Sequence, residues 1–250
     1  MTACRPLALL LGILHAHPVG AYILPATSIL RRMIEQRDAM EVSSIRVDGT
    51  LTFFGAARRD AARAFRLSSA GSEASSEAAM MLKAPGRCRL EVWTPDGSRV
   101  AAVSSHRRAR FEGTEIAALG AVVEQVCAIL GGRSGSETEG RAAVERHLDR
   151  LKVDSRRSYL ARVGGQIAYV MGGPFDAQPS FWVYKDSFLP ARLHWIDADQ
   201  AAWDLRLADY SSPLTGELFP RVVELSRNGE LALRFNALKV NQAVLPDKLF

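Results

Sequence analysis

The chain has 250 residues, of which 48% are apolar and 24% are charged, the composition of an ordinary soluble globular protein. Its formal net charge is +5. The basic residues are scattered, in pairs such as Arg58-Arg59 and Arg156-Arg157, and few aromatic residues lie among them. This distribution argues against a nucleic-acid partner, and the length allows one large domain or two small ones.

The segment 1–21 has the pattern of a secretory signal peptide. Arg5 supplies a positive charge, residues 6–14 form an apolar core, and Val19-Gly20-Ala21 is a small-residue cleavage site. We therefore predict cleavage after Ala21, which leaves a soluble periplasmic chain of residues 22–250. Cys4 precedes the apolar core, so it does not lie where a lipidated cysteine would.

The next part of the chain predicts one helix followed by short strands. Apolar residues recur at helical spacing from Pro25 to about Arg37, and Ile45 to Phe54 predicts a strand. The segment 56–77 is rich in Ala, Ser and Arg and predicts a loop or a frayed strand extension. Further strands are expected within 78–93 and 98–113.

Two helices are predicted in the middle of the chain. Apolar residues cover more than half the circumference of the first, Thr114–Leu130, so it must be buried on more than one side. The segment 131–140 predicts a flexible linker. Arg141–Val153 predicts a shorter amphipathic helix with His147 on its solvated side.

The segment from Tyr159 to Asn241 predicts a ladder of short antiparallel strands. Gly164-Gly165 and Asn228-Gly229 are typical of tight hairpin turns, and apolar residues alternate with polar ones. The predicted fold class is mainly β (α+β), with one half-open, curved antiparallel sheet and helices covering its concave face. We expect a single domain spanning 22–250.

Export would place Cys88 and Cys127 in an oxidising compartment, where one disulfide is possible. Because Cys88 falls in a strand pattern and Cys127 in a helix pattern, we predict that both remain buried thiols. A disulfide would instead pin the helix to the sheet.

The sequence contains no nucleophile elbow, P-loop or dinucleotide-binding motif. His106, His147 and His194 stand alone, without metal-ligand spacing to another His or Cys. His194 is expected to be a half-exposed sheet residue. We therefore predict a protein that is not an enzyme and has no metal and no cofactor.

Three short segments resemble the LolA/LolB family, the lipoprotein carriers and receptors of the Gram-negative envelope. Leu82 to Leu90 (LKAPGRCRL) looks like the family's strand–K-x-P–strand passage, Val103-Ser104-Ser105 resembles its next strand, and Phe181 to Leu193 (FWVYKDSFLPARL) is similar to its aromatic strand and return. The resemblance implies an incomplete barrel with a helical lid and a hydrophobic cavity for acyl chains.

The chain departs from the family at two places. The family commonly has an Arg before the proline that helps to hold the lid, and this chain has Ala84. The family's Asp-Gly turn is Ser105-His106 here. Both departures concern the loading and unloading cycle rather than the fold.

We predict that apolar stripes on the sheet and on the first mid-chain helix face each other and bind an acyl chain. The predicted ligand-binding residues are Leu119, Val123, Val126, Leu130, Phe181, Val183, Leu193, Trp195, Trp203, Leu205, Leu207, Leu231, Leu233 and Phe235.

The predicted function is that of a monomeric periplasmic carrier that binds the acyl chains of a lipoprotein or lipid for transfer to the outer membrane. Its partners would be that cargo, an inner-membrane donor and an outer-membrane acceptor. The alternative is a non-catalytic structural or interaction protein of the cell envelope whose helix fills the sheet completely. A hydrolase of the cell envelope is a third hypothesis.

Overall fold

The computed structural model describes residues 23–65, 75–94, 97–105, 108–131, 136–174, 178–213 and 215–250. The predicted signal peptide and its cleavage site lie outside these residues, as does His106. Within the described ranges, no helix has both the length and the apolar character needed to cross a bilayer.

The described residues form twelve β-strands and four α-helices. In chain order these are α1 (Ala26–Ala39), β1 (Ser44–Phe53), α2 (Gly55–Ala64), β2 (Ser75–Lys83), β3 (Arg87–Trp93), β4 (Arg99–Ser105), β5 (Arg110–Glu112), α3 (Ala117–Leu130), α4 (Glu137–Arg150), β6 (Ser158–Val163), β7 (Gln166–Gly172), β8 (Ser180–Tyr184), β9 (Pro190–Ile196), β10 (Ala202–Ala208), β11 (Val222–Arg227) and β12 (Glu230–Gln242). Short 3₁₀ turns span Gly216–Leu218 and Asp247–Leu249.

All twelve strands belong to one antiparallel sheet in the order β5-β4-β3-β2-β1-β12-β11-β10-β9-β8-β7-β6. Strands that are consecutive in the chain are adjacent in the sheet, except β5 and β6, which lie at its two edges. The pairing of β1 with β12 joins the two halves of the sheet. The edge strands β5 and β6 do not pair with each other, so the sheet is a curved, open half-barrel. The predicted fold class is confirmed.

Both predicted hairpin turns are present. Gly164 and Gly165 have φ of 55° and 81°, and Asn228 and Gly229 have φ of 52° and 82°. Two consecutive positive φ values match the right-handed twist of the strands on either side. These turns fix the β6–β7 and β11–β12 registers.

The two faces of the sheet differ in chemistry. On the concave face, Leu205 pairs with Leu193 and Leu225, and all three are buried. On the convex face, Arg192 Nε donates to Asp204 Oδ1 at 2.8 Å, and Arg234 is 2.6 Å from Glu224. The alternation of apolar and polar residues predicted from the sequence therefore separates the side chains in the core from those that face solvent.

A β-bulge corrects the predicted stripe at one position. The register of β11 with β12 shifts between Leu225 and Ser226, so that Leu231 pairs with Ser226 instead of continuing the row of Leu233. One extra residue moves every following side chain to the other face of a strand. The placement of Leu231 on the concave face was wrong.

The segment predicted as a loop contains a helix. Residues Gly55–Ala64 form α2, which buries Ala57 and Ala61. Alanine and arginine favour a helix, but with only small residues on its buried face α2 lacks the apolar stripe that would have revealed it. The mid-chain helices are confirmed with shifted ends, since α3 begins at Ala117 and α4 begins after the capping residue Ser136.

A C-terminal segment covers the convex face of strands β2 to β5. Leu245 packs with Ala79 and Met81, and Arg89 donates to the backbone oxygen of Leu249 at 3.1 Å. Arg89 is only 2% exposed, and its Nε also donates to Glu91 at 2.7 Å. The buried guanidinium therefore has hydrogen-bond acceptors around it, which a charge removed from water requires.

Candidate functional site

Helices α1 and α3 cover the concave face of the sheet. The inner side chains of α1 are Ile29, Leu30, Met33 and Ile34, each at most 2% exposed. Helix α3 lies over β3 and β4 and is buried over most of its length. Because both helices present apolar side chains to an apolar sheet, they form one continuous core with it.

The structure brings nearly all of the predicted ligand-binding residues into that core. The members at most 5% exposed are Leu119, Val123, Val126, Phe181, Val183, Leu193, Trp195, Trp203, Leu205, Leu207, Leu233 and Phe235. Leu130 is partly buried and packs against them, whereas Leu231 lies on the other face. In the structure these apolar side chains pack against one another and fill the space between the helices and the sheet.

Stacked indole rings lie near the turn between β9 and β10. Trp195 and Trp203 have centroids 6.0 Å apart and an interplanar angle of 9°. Trp203 Nε1 donates to Asp197 Oδ2 at 2.8 Å, and the Arg227 guanidinium lies 5.2 Å from the centroid of the Trp203 ring. These contacts orient the rings, and both side chains are only 5% exposed, so they close this end of the core.

Two small cavities lie where α1 ends. They are about 30 Å³ each and share the lining residues Arg37, Met40, Leu130 and Leu218. We call this region the mouth. Each cavity has room for about one water molecule, so an acyl chain can enter only if the walls move.

A disulfide fixes one of these walls. Cys88 of β3 and Cys127 of α3 are bonded, with their Cα atoms 5.5 Å apart. The Gly86 N–H also donates to the Gly131 carbonyl at 2.8 Å, just beyond the end of α3. The prediction of two free thiols was wrong because a strand and a helix far apart in sequence cross at these positions. Helix α3 is therefore pinned to the sheet.

Helix α1 is held only by non-covalent contacts. The Arg32 guanidinium lies 5.2 Å from the centroid of the Phe188 ring, and Ser158 Oγ donates to the Leu24 carbonyl at 2.9 Å. Its apolar stripe packs into the core, and it also contacts α4. Of the two helices that cover the sheet, α1 is the one that can move without breaking a covalent bond.

His147 is buried, contrary to the prediction that it faces solvent. It is 7% exposed, its Nε2 lies 2.7 Å from Gln125 Oε1, and its Nδ1 lies 3.1 Å from Arg150 Nη2. The helical face of α4 was assigned without knowing that α3 offers a polar partner at Gln125. His194 is also buried, at 5% exposure, and not half-exposed as predicted.

The burial of His147 predicts a loss of stability in acid. Desolvation, with a smaller contribution from Arg150, lowers the pKa of His147 from 6.5 to about 4. The unfolded chain therefore takes up a proton more readily than the folded one as the pH falls from 6.5 to 4. Over this range the free energy of unfolding should fall by about 3 kcal/mol from this group alone.

Urea unfolding at pH 7 and at pH 4.5 checks this expectation. Since carboxylates titrate in the same range, the comparison is between wild type and His147→Gln, which lacks the titrating group. We expect a smaller loss of stability in the variant. Equal losses in the two proteins would contradict the expectation.

No group of three or more His, Cys, Asp or Glu side chains that could hold a metal ion was found within the described ranges.

No protein-family model matches the chain, and no curated protein sequence is significantly similar to it. Among solved structures, a LolA superfamily protein from Nitrosomonas europaea has a TM-score of 0.51 and 12% identity, over 91% of this chain and 97% of that one. An outer membrane lipoprotein-sorting protein domain from Vibrio parahaemolyticus has a TM-score of 0.41 and 10% identity, over 89% and 94%. The first likeness shows that the chain has the LolA-superfamily fold, which confirms the resemblance at that level.

Proposed function

We propose that this protein is a non-catalytic periplasmic carrier that binds the acyl chains of a lipid or lipoprotein between its helices and its concave sheet face. The observation that carries the proposal is the mouth. The cavities lie together at one end of the helix–sheet interface, beside a helix that is not covalently tied to the sheet.

The side chains around the mouth are suited to adjusting their positions. Met33 of α1 and Met40, which directly follows α1, line it, and methionine fills irregular spaces because its unbranched chain has three rotatable bonds. Leu130 and Leu218 are partly exposed, so their displacement disturbs little of the core. An acyl chain would enter here by pushing α1 away from α3, which stays in place.

The energies involved permit such an exchange. About a dozen methylenes moved out of water contribute roughly 10 kcal/mol at about 0.8 kcal/mol each. Part of this offsets the loss of contacts between α1 and the sheet. The remainder would support binding that is tight and still reversible, as a carrier requires.

A periplasmic location agrees with the role of a carrier. Disulfides persist in the bacterial periplasm and are rare in the cytosol, and this chain has a disulfide between its sheet and α3. The apolar N-terminal segment of the sequence supplies the export signal. The transfer partners would be an inner-membrane donor and an outer-membrane acceptor.

A second function is favoured by a different observation. The predicted ligand-binding residues are packed together and α3 is pinned, which also suits a protein with a permanently filled core. Such a protein would act through its surface, as a structural or interaction component of the envelope. The two functions differ in whether the protein takes up an acyl chain.

Blocking the mouth tests the carrier proposal. We expect wild-type protein to bind methyl cis-parinarate, an uncharged polyene ester, with a rise in the fluorescence of the polyene. Leu218→Trp places an indole in the mouth and should weaken binding about tenfold, which corresponds to about 1.4 kcal/mol. The measurement is a fluorescence titration of both proteins.

Val244→Trp is the matched control, because Val244 is 99% exposed and does not line the mouth. This variant should bind like wild type. If wild type gives no rise in fluorescence, the structural role replaces the carrier role. If both tryptophan variants bind like wild type, entry at the mouth is wrong.

A further inference from the structure

The mouth contains a buried hydroxyl that makes no hydrogen bond. Tyr210 is 7% exposed, its ring packs edge-on against Tyr184 with centroids 6.3 Å apart, and its Oη has no hydrogen-bond partner. It lines the cavity that Met33, Leu189 and Leu218 also line. Burial in this apolar environment raises the pKa of the Tyr210 phenol well above 10, so the hydroxyl keeps its proton.

A second donor lines the same cavity. The side chain of Arg37 is 16% exposed, and its Nε is buried without a hydrogen bond, although Asp38 Oδ1 lies 3.6 Å away. A distance of 3.6 Å is too long for a hydrogen bond. Two residues that line this mainly apolar cavity thus each carry a buried donor without a hydrogen bond, the phenol O–H of Tyr210 and the guanidinium N–H of Arg37.

Buried donors without partners are costly, and folded proteins rarely keep them unless they meet water or a ligand. A ligand with an acceptor oxygen would satisfy both donors. Because the walls of the cavity are mainly apolar, we expect that oxygen to be attached to an apolar chain. A carbonyl group at the head of an acyl chain satisfies both requirements.

The charges around Arg37 distinguish a neutral carbonyl from a carboxylate. Asp38 forms an ion pair with Arg37, and Glu217 lines the same cavity. Asp38 already balances the guanidinium, and Glu217 adds a second negative charge to the lining, so a further anion would be disfavoured. An ester carbonyl accepts hydrogen bonds without adding charge.

We propose that Tyr210 and Arg37 form a subsite for the ester carbonyl of an acylglycerol group, at the mouth through which its acyl chain enters. This inference rests on the proposed acyl-chain binding and adds the chemical class of the head group. The glycerol esters of a phospholipid and of a diacylated lipoprotein share this chemistry.

The test compares two ligands that differ only at the carbonyl. Wild-type protein is titrated with 1-monooleoylglycerol and with its ether analogue 1-O-oleylglycerol, by displacement of methyl cis-parinarate. We expect the ester to bind about tenfold more tightly than the ether in wild type. In Tyr210→Phe the preference for the ester should fall to about threefold, because one of the two donors is gone and Arg37 remains.

Tyr184→Phe is the matched control. The Tyr184 hydroxyl donates to the Leu207 carbonyl at 3.2 Å and does not line the cavity, so this variant should keep the tenfold preference. Thermal unfolding of Tyr210→Phe should show no loss of stability, since the removed hydroxyl has no partner in the fold. A purely structural role for Tyr210 would not change the ester-to-ether ratio.

The outcomes separate the subsite from the binding function on which it rests. Equal affinities of wild type for ester and ether would overturn the subsite and leave acyl-chain binding standing. Tighter binding of oleate than of monooleoylglycerol would overturn the choice of a neutral carbonyl. Binding of no ligand would overturn both proposals.

Parallel titrations distinguish the source of the ester. One uses lysophosphatidylethanolamine and the other a synthetic diacylglyceryl-cysteine peptide. If the affinity for either ligand falls about threefold in Tyr210→Phe, the result supports the subsite. The ligand that wild type binds more tightly identifies the source of the ester. Binding of both that is unaffected by Tyr210→Phe would contradict the subsite.

Discussion

Replacing Cys88 and Cys127 together by alanine is expected to lower the free energy of unfolding by about 4 kcal/mol. The disulfide closes a loop with a sequence separation of 39, and cross-linking a loop of that length removes about this much conformational freedom from the unfolded chain. In a protein of this size such a change lowers the midpoint of thermal unfolding by roughly 10 °C. The measurement is urea or thermal unfolding under non-reducing conditions.

A reductant provides the control for this pair of substitutions. Wild type with reductant should approach the stability of the double variant, and the reductant should leave the variant unchanged. Denatured, unreduced protein should show no titratable thiol from Cys88 or Cys127. Two free thiols, with no effect of reductant, would contradict the disulfide and return α3 to a movable position.

Val123→Asp is expected to destabilise the protein by at least about 4 kcal/mol. Val123 has 0% exposure and lies in the core that α3 shares with the sheet. A carboxylate there loses its hydration without gaining a partner, and this is among the few single changes with effects of such size. If α3 were a lid, the helix would swing away and relieve much of this cost, but the disulfide holds it.

Ala128→Asp on the same helix is the matched control. Ala128 is partly exposed, so the same charge stays in contact with water and the expected loss is within about 1 kcal/mol. Urea unfolding of the two variants and wild type gives the comparison. Similar small losses in both variants would mean that α3 does leave the sheet.

Local patterns in the sequence were sufficient to predict most of the sheet. Asn228-Gly229 and Gly164-Gly165 identified two hairpins because few other residue pairs accept two positive φ values. The alternation in β10 identified the concave face. Leu231 was misplaced because a bulge depends on both strands of a pair, and α2 was missed because its buried residues are alanines.

The site was less predictable, since its features join distant parts of the chain. The apolar stripes were identified by their period, but the disulfide requires Cys88 of β3 to meet Cys127 of α3. Arg37 appeared only as the last residue of a predicted helix, and Tyr210 lay within the predicted ladder of strands without a role of its own. Their shared cavity results from the packing of α1 near β9, which no local pattern encodes.

Native mass spectrometry of the wild-type protein, purified from a bacterial periplasm, tests most directly whether it binds acyl chains. The carrier proposal predicts a population whose mass exceeds that of the polypeptide by the mass of a lipid. Denaturation in organic solvent should release that lipid and leave the polypeptide mass. The polypeptide mass alone, both after purification and after incubation with lipid vesicles, would contradict the proposal and favour a protein with a permanently filled core.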